Sequence, residues 1–365
     1  MNKYKNLNII NFLRSNNINC FPINRINLDN ELLEPYDEGE KLISNTFETE
    51  TNLNLFIDIK QNSNNTMFKY FLDGSRYTYK IADMLTHDND YVPVISAQVG
   101  AALCSRDNST KKMKTDILCR KNYIAFYHTI NNAVFRRIKD YMKNISSNGV
   151  TFEAIKYIPN TKISKERPEN AAISKILREM HNLELDVLKK VSQENKLNDK
   201  EMLILDGPLQ FIENVDDRIF NYVIGVSKQF NPNQVIKMDL KTNIHIGSVL
   251  HKLEFGQRTP VIKYEIPSVN RVIGIWYLRI RNKEKMKNPH DGIIKIEKVA
   301  ITSKERESGF DSDLINRISQ SLVCERNFTC YGDDDRWTTH LYPVYLTEKV
   351  LKSSFINQDI FMNLF

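Results

Sequence analysis

The chain has 365 residues, of which 41% are hydrophobic and 26% are charged. This composition supports a large folded core and excludes a chain that is disordered along its whole length. The net charge of +6 permits a polyanionic partner but does not require one, because many enzymes have a similar balance.

The cysteines and the apolar segments indicate the cellular compartment. The five cysteines are odd in number and none belongs to a CxxC pair, which favours free thiols in a reducing compartment over disulfides or a zinc site. The N-terminus lacks the apolar core and cleavage site of a secretion signal, and no apolar stretch reaches the roughly 18 residues that a membrane span needs. We therefore expect a cytoplasmic protein that does not contact a membrane.

The N-terminal 60 residues differ from the rest of the chain. Residues 1–60 are rich in asparagine, leucine and isoleucine, and we interpret them as an N-terminal extension used for dimerisation or partner docking. Residues 61–365 then form the main domain, because no internal repeat or long linker divides them.

Apolar periodicity and turn signals predict the elements of the main domain. In chain order we predict strands at 69–72, 77–81 and 92–103, a helix at 169–193, strands at 202–205, 222–226, 259–266, 272–280 and 292–301, and helices at 311–322 and 346–355. This order predicts a mixed α/β fold in which helices flank one central sheet.

Two aspartates follow apolar strands and are each followed by glycine. Asp73 comes after residues 69–72, and Asp206 comes after residues 202–205. Each Asp-Gly pair is also typical of a simple turn, so the turn remains an alternative at both positions. If the two strands are neighbours, both carboxylates meet at one edge of the sheet and repel each other unless a cation lies between them. Oxygen ligands of this kind suit Mg²⁺ or Mn²⁺.

The predicted helix at 169–193 offers a third carboxylate. With Ile173 as the reference direction and about 100° per residue, Glu184 lies about 20° away, in the middle of the apolar face. Glu179 and Asp186 lie on the polar side. A carboxylate on the buried face is costly unless it is paired, protonated or bound to a metal. Glu184 is therefore the candidate metal ligand of this helix, with a buried glutamate paired to another side chain as the alternative.

Three further residues are weaker candidates. Lys228 follows the strand at 222–226 and could contact a phosphate as a point charge, although an exposed loop lysine is the simpler interpretation. His340 could serve as a general acid or base, and Asp335 could complete a metal shell. A solvated loop is the alternative for Asp335, and a surface histidine or one whose hydrogen bonds are satisfied is the alternative for His340.

Together these segments resemble the motifs of the NurA nuclease family. The sequence FLDGS at 71–75 resembles the first motif, and LDGPL at 205–209 resembles the second, in which proline replaces a serine. Glu184 matches the helical glutamate that precedes the second motif. GVSK at 225–228 resembles the Ser-Lys motif, and RWTTHLYP at 336–343 resembles the C-terminal motif that carries a histidine. The motifs occur in the family's order over about residues 68 to 355.

The resemblance implies a NurA-like nuclease domain over residues 61–365, with an RNase H-like fold related to the PIWI domain. It implies Mn²⁺- or Mg²⁺-dependent cutting of DNA by a homodimer that works with a HerA-type hexameric ATPase. Asp73, Glu184, Asp206 and Asp335 would bind metal. Lys228 and His340 would assist the chemistry.

Other functions remain open from the sequence. A non-catalytic RNase H-like or PIWI-like subunit would hold nucleic acid without cutting it, and a structural subunit would only dock onto an ATPase. An RNA-directed nuclease is a further alternative, because the distinction depends on contacts to the 2′-OH.

Overall fold

The structure is a computed structural model that describes residues 9–28, 42–50, 54–59, 66–107, 109–144, 150–159, 166–239, 242–326 and 335–365. The described strands are β1 (Cys20–Asn27), β2 (Leu42–Thr46), β3 (Ile57–Asp58), β4 (Phe68–Leu85), β5 (Tyr91–Arg106), β6 (Met113–Tyr127), β7 (Glu153–Tyr157), β8 (Met202–Asp206), β9 (Val223–Ser227), β10 (Val235–Asp239), β11 (Thr242–His245), β12 (Gln257–Arg258), β13 (Ile262–Ile266), β14 (Arg271–Arg279) and β15 (Ile293–Val299). The described helices are α1 (Ile9–Ser15), α2 (Asn132–Asn144), α3 (Pro168–Gln193), α4 (Ile246–Leu250), α5 (Ser303–Ser308), α6 (Ser312–Glu325), α7 (Tyr342–Ser353) and α8 (Gln358–Met362).

The strands form one mixed sheet. Its central part has the order β6-β5-β4-β8-β9, in which β4, β5 and β6 are antiparallel neighbours and β4, β8 and β9 are parallel. Beyond β9 the sheet continues through β15, β14, β13, β2, β10 and β11. The predicted mixed α/β fold, with a central sheet flanked by helices, is confirmed.

Two apolar layers cover the two faces of the sheet. The residues of α3 pack against alternate residues of β4 and β8, including Leu72 and Leu205. The intervening residues, including Phe71 and Ile204, pack with residues of α6 and α7. Because alternate side chains of a strand point to opposite faces, we name these two sides the α3 face and the α7 face.

The predicted end of a strand at Asp73 is wrong. β4 continues through Asp73, Gly74 and Ser75 as part of one 18-residue strand. The reason is its pairing with β5, which runs from Tyr70 to Leu85 and satisfies the backbone across the Asp-Gly-Ser segment. Long-range pairing therefore overrides the local turn signal.

The other edge of β4 is interrupted, and this interruption creates the site. β8 pairs with β4 only as far as Leu72, whereas β1 pairs with β4 from Tyr79 onward. Between these two partners, no described strand pairs with this edge of β4, which we call the open edge. The open edge begins at Asp73.

Most other predicted elements are confirmed with small shifts of their ends. The predicted helix 169–193 is α3, the predicted strands 202–205 and 222–226 are β8 and β9, and the C-terminal helices are α6 and α7. Strands from residues 1–60 join the main sheet, since β1 pairs with β4 and β2 pairs with β10 and β13. The docking role of this region stays a prediction.

Two smaller observations concern the cysteines and membrane spans. Cys20, Cys104, Cys119 and Cys324 are free thiols, and Cys330 lies outside the described residues. Within the described ranges, no helix combines the length and the apolar character that crossing a bilayer requires.

Candidate active site

Asp73 and Asp206 lie side by side on neighbouring parallel strands. Leu72 is in register with Leu205, so the next residue on each strand is an aspartate. Asp73 and Asp206 lie two residues after Phe71 and Ile204, which pack on the α7 face. Because every second side chain of a strand points to the same face, both aspartates point to the α7 face. The predicted meeting of these two carboxylates at one edge of the sheet agrees with this register.

Glu184 reaches the same place from the opposite face of the sheet. It lies on α3, and its side chain is only 1% exposed. A Cβ built on Gly74 would overlap the Glu184 carboxylate, so this carboxylate lies directly against the Gly74 backbone on the α3 face. Nδ1 of His181 lies 3.0 Å from Glu184 Oε2. The structure thus brings Glu184 next to the strand that carries Asp73, but on the other side of that strand.

Lys228 and Glu348 complete the α7 side of the site. Lys228 follows β9, and its Nζ donates to Asp206 Oδ2 at 2.6 Å. The same Nζ lies 3.9 Å from Glu348 Oε2, on α7. Lys352, one turn further along α7, donates to Glu348 Oε1 at 2.6 Å. Three carboxylates and two ammonium groups therefore share this side of the site.

An open cavity of about 510 Å³ connects these groups with solvent. It passes through the gap between β8 and β1 and has walls on both faces of the sheet. Its lining contains Asp73, Gly74, Ser75, Arg76, Met180, Asp206, Gly207, Pro208, Gln210, Ser227, Lys228, Gln229, Lys295, Glu348 and Lys352.

The electrostatics of the site centre on Asp73. Burial raises the pKa of Asp73 well above its usual value of 3.8, and the carboxylates of Asp206 and Glu348 raise it further. Lys228 acts in the opposite direction, and Glu184 adds a smaller raising effect. Burial alone lowers the pKa of Lys228, but its attraction to Asp206 and Glu348 outweighs burial and raises it. Within the described part of the chain, Asp73 has no ion-pair partner, so the negative charge there is incompletely balanced.

The donor set suits a hard divalent cation. Asp73, Asp206 and Glu348 offer only oxygen atoms, which Mg²⁺ and Mn²⁺ prefer. A bound cation would also offset the negative charge of the carboxylates around the buried Asp73. In the arrangement observed, however, no three acidic, histidine or cysteine side chains among the described residues are close enough together to hold a metal ion. The ammonium of Lys228 donates to Asp206 and lies 3.9 Å from Glu348, so a metal ion bound here would compete with it for the carboxylate oxygens.

The segment after Asp206 is held by a buried carboxylate that the sequence prediction missed. Glu297 on β15 is fully buried and accepts hydrogen bonds from the backbone N of Leu209 at 2.7 Å and from Nε2 of Gln210 at 2.8 Å. Gly207 has a φ of +134°, a conformation that favours glycine. This anchoring places Gln210 in the wall of the cavity.

The C-terminal candidates lie elsewhere. His340 is 3% exposed, its ring stacks on Tyr345 with centroids 5.5 Å apart, and it does not line the cavity. Asp335 begins a 3-10 helix, Asp335–Thr339, but its side chain lies outside the described part of the structure. The structure therefore brings together Asp73, Asp206 and Lys228, with Glu184 behind the strand, and does not bring His340 to them.

Glu348 is the site residue that sequence analysis missed. It lies four residues after Val344 and three before Leu351, both of which are buried on α7. This is the same spacing argument that selected Glu184 on α3. The signal was present, but the predicted helix began at residue 346 and omitted Val344.

No protein-family model matches this chain, and no curated protein sequence matches it either. A functional assignment therefore depends on the chemistry of the side chains around the cavity.

Proposed function

We propose that this chain is a divalent-metal-dependent nuclease that hydrolyses phosphodiester bonds in DNA, with the RNase H-like fold of the NurA type. The observation that carries the proposal is the in-register pair Asp73 and Asp206, joined by Glu348 in one open cavity. The resemblance of the motifs at 71–75, 205–209 and 225–228 to the NurA family supports it independently.

The arrangement of the central strands supports the finer fold assignment. Three antiparallel strands, β4 to β6, are followed in the chain by α2 and β7, then by α3 and by two strands parallel to β4. An RNase H-like core has this arrangement, with acidic residues on the first strand, the first long helix and the next strand. Asp73, Glu184 and Asp206 occupy these three elements.

The chemistry would be the addition of water across a P–O bond. A water oxygen attacks phosphorus, the bond to the leaving 3′ oxygen breaks, and that oxygen ends with a proton from the water. A bound Mn²⁺ or Mg²⁺ supplies Lewis acidity and lowers the pKa of coordinated water. Asp73, Asp206 and Glu348 would hold the ion through their oxygens. Lys228, released from Asp206, would face the negative phosphate.

Glu184 would act from behind the strand in this proposal. Its carboxylate lies against Gly74, beside the open edge of β4, and its partner His181 lies one turn away on α3. From there it adds negative charge to the site, which the raised pKa of Asp73 reflects. The assignment of Glu184, Asp335 and His340 to the loaded site stays a prediction based on the resemblance.

The partners belong to the same proposal. The NurA resemblance implies a homodimer and a HerA-type hexameric ATPase that moves DNA to the nuclease. It also implies DNA end processing, and a role in antiphage defence is compatible with the same chemistry. The cytoplasmic location is proposed from the odd number and the spacing of the cysteines.

A non-catalytic nucleic-acid-binding subunit is the second candidate. It is favoured by the ion pair between Lys228 and Asp206, which lets a lysine balance the charge that a metal would otherwise balance. The test is incubation of the purified protein with linear and circular DNA in Mn²⁺, Mg²⁺ or EDTA, alone and with a candidate ATPase. Metal-dependent products support the nuclease, whereas binding in EDTA without cleavage under any condition supports the second candidate.

A further inference from the structure

The cavity has a second half that the proposed metal chemistry does not use. On the α3 face it is lined by Arg76, Gln210 and Lys295. Lys295 lies two residues after Ile293 on β15, and Ile293 packs in the core on the α3 face. The side chain of Lys295 therefore points to the α3 face. Arg76 lies two residues after Gly74 on β4, so it also points to the α3 face. The two halves of the lining therefore differ in their side chains. The α7 side offers three carboxylates and two lysines, whereas the α3 side offers Arg76, Lys295 and Gln210, with the carboxylates of Glu184 and Glu297 buried on the same face.

Lys295 is one of three buried charged residues of β15, with Glu297 and Lys298. Every residue of β15 is buried, and Lys295 is only 9% exposed. Its Nζ lies 3.0 Å from Oε1 of the fully buried Glu297. A buried ion pair contributes little net stability compared with well-packed apolar residues. Packing therefore does not explain why a charged pair lies here, at the wall of an open cavity.

Glu297 organises this half of the cavity. It contacts Nζ of Lys295, and it also accepts the hydrogen bonds from Leu209 and Gln210. One carboxylate thus fixes a lysine and an amide side chain that both line the same wall. This wall of the cavity therefore presents the ammonium group of Lys295, the amide of Gln210 and the guanidinium group of Arg76.

We propose that Arg76, Lys295 and Gln210 form a subsite for a phosphate of the substrate strand that lies next to the cleaved phosphate. Arginine and lysine bind phosphate by charge, and an amide group donates to phosphate oxygens without adding charge. Three carboxylates on the α7 side work against phosphate binding unless a cation is bound, whereas the cavity lining on the α3 side contains two basic side chains and no carboxylate. The subsite rests on the proposed nuclease function, because it presumes that a nucleic acid strand enters the cavity.

The experiment measures metal-free binding of a labelled single-stranded DNA oligonucleotide by fluorescence anisotropy, in EDTA, over a range of salt concentrations. The reference protein is the full chain with Asp73→Asn, which removes one repelling charge. Lys295→Gln and Arg76→Gln are added separately to this background. The matched control is Lys114→Gln, on β6, because Lys114 is highly exposed and does not line the cavity.

The subsite predicts weaker binding for both variants. It also predicts that the slope of log K against log salt becomes shallower by about 0.7 for each, the value of one phosphate contact to a single strand. The control should keep the reference slope. Slopes equal to that of the control in folded Lys295→Gln and Arg76→Gln proteins would overturn the proposal. Equal competition by inorganic phosphate and by the oligonucleotide would also overturn it, because it would assign the site to a free anion.

The outcome is separable from that of the nuclease proposal. Binding is measured without metal, so a changed slope in a protein that never cleaves DNA supports the subsite and contradicts the nuclease. Metal-dependent cleavage together with unchanged slopes contradicts the subsite alone. Arg76 is half-buried, unlike Lys295, so Arg76→Gln tests the idea even if Lys295→Gln fails to fold.

Discussion

Gly74 and Glu184 meet in one close contact across the strand that carries Asp73. The carboxylate of Glu184 occupies the position that a Cβ on Gly74 would need. The glycine is therefore required by packing against a charged group, and the Asp-Gly-Ser segment does not turn. This contact joins α3 to the site, and it can be tested without knowledge of the substrate.

We expect Gly74→Ala to lower the free energy of unfolding by about 1–3 kcal/mol, because the added methyl group overlaps the carboxylate. In Glu184→Ala the obstacle is gone, so adding Gly74→Ala to that variant should have a smaller effect. Urea unfolding of the four proteins of this cycle gives the coupling between the two positions. We expect a coupling free energy of about 1 kcal/mol or more between the two positions. Additive effects would mean that the two residues do not touch.

The raised pKa of Asp73 predicts a pH-dependent stability in metal-free protein. The folded state holds the Asp73 proton at pH values where the unfolded chain has lost it. The stability that this group contributes is complete below pH 3.8, its ordinary pKa, and is lost as pH rises through the raised pKa. Asp73→Asn cannot ionise, so it should remove this loss and be more stable than the parent at neutral pH. Thermal unfolding in EDTA from about pH 4 to about pH 8 measures the difference.

The same pair of proteins should respond differently to metal. Mn²⁺ binds the ionised carboxylate, so it should raise the melting temperature of the parent protein at neutral pH and have little effect on Asp73→Asn. Asp88→Asn is the control, because Asp88 is exposed in the turn that follows β4. Equal stabilisation of parent and Asp73→Asn by Mn²⁺ would place the metal elsewhere.

Glu348 should be as necessary as the aspartates that the sequence identified. Glu348→Gln keeps the shape of the side chain but removes a charge that lies 3.9 Å from Lys228 Nζ. We expect cleavage to fall at least about tenfold, with a higher Mn²⁺ concentration needed for half-maximal rate. Glu307→Gln, an exposed position on α5, is the matched control. An unchanged metal requirement in Glu348→Gln would remove Glu348 from the metal site.

The N-terminal region should be needed for folding. Glu48 forms a fully buried ion pair with Arg258, with Arg258 Nη1 2.7 Å from Glu48 Oε1, and Oε1 also accepts from the backbone N of Val261. Removing one partner leaves the other buried and unpaired, so Glu48→Ala should lower the free energy of unfolding by about 3–5 kcal/mol. Deletion of residues 1–60 should be at least as harmful in a thermal unfolding experiment. A truncated chain with the parent's melting temperature would show that this region is separable.

The sequence predicted the structure well where an element has one continuous apolar face. α3 has apolar residues at helical spacing over 26 residues, and both its position and the burial of Glu184 follow from that pattern. The short apolar strand that ends in Asp206 was also predictable. In contrast, Asp-Gly-Ser is a turn signal in isolation, and only the pairing of β4 with β5 shows that the strand continues.

The remaining parts of the site depend on tertiary structure. The gap between β8 and β1 is a property of strand order, which no local pattern encodes. Glu348 was missed because the predicted helix began four residues late, although Pro343 in the first turn of α7 is a typical helix start. Lys295 and Glu297 occupy alternate positions of β15, a pattern that predicts a solvent-exposed polar face. Their burial was therefore not expected from the sequence.

The most direct test compares DNA cleavage by the parent protein, Asp73→Asn and Asp88→Asn in Mn²⁺ and in EDTA. We expect products only in Mn²⁺, from the parent and Asp88→Asn, with none from a folded Asp73→Asn protein. Cleavage by Asp73→Asn at the parent's rate would contradict the central claim that the paired aspartates of β4 and β8 hold the catalytic metal.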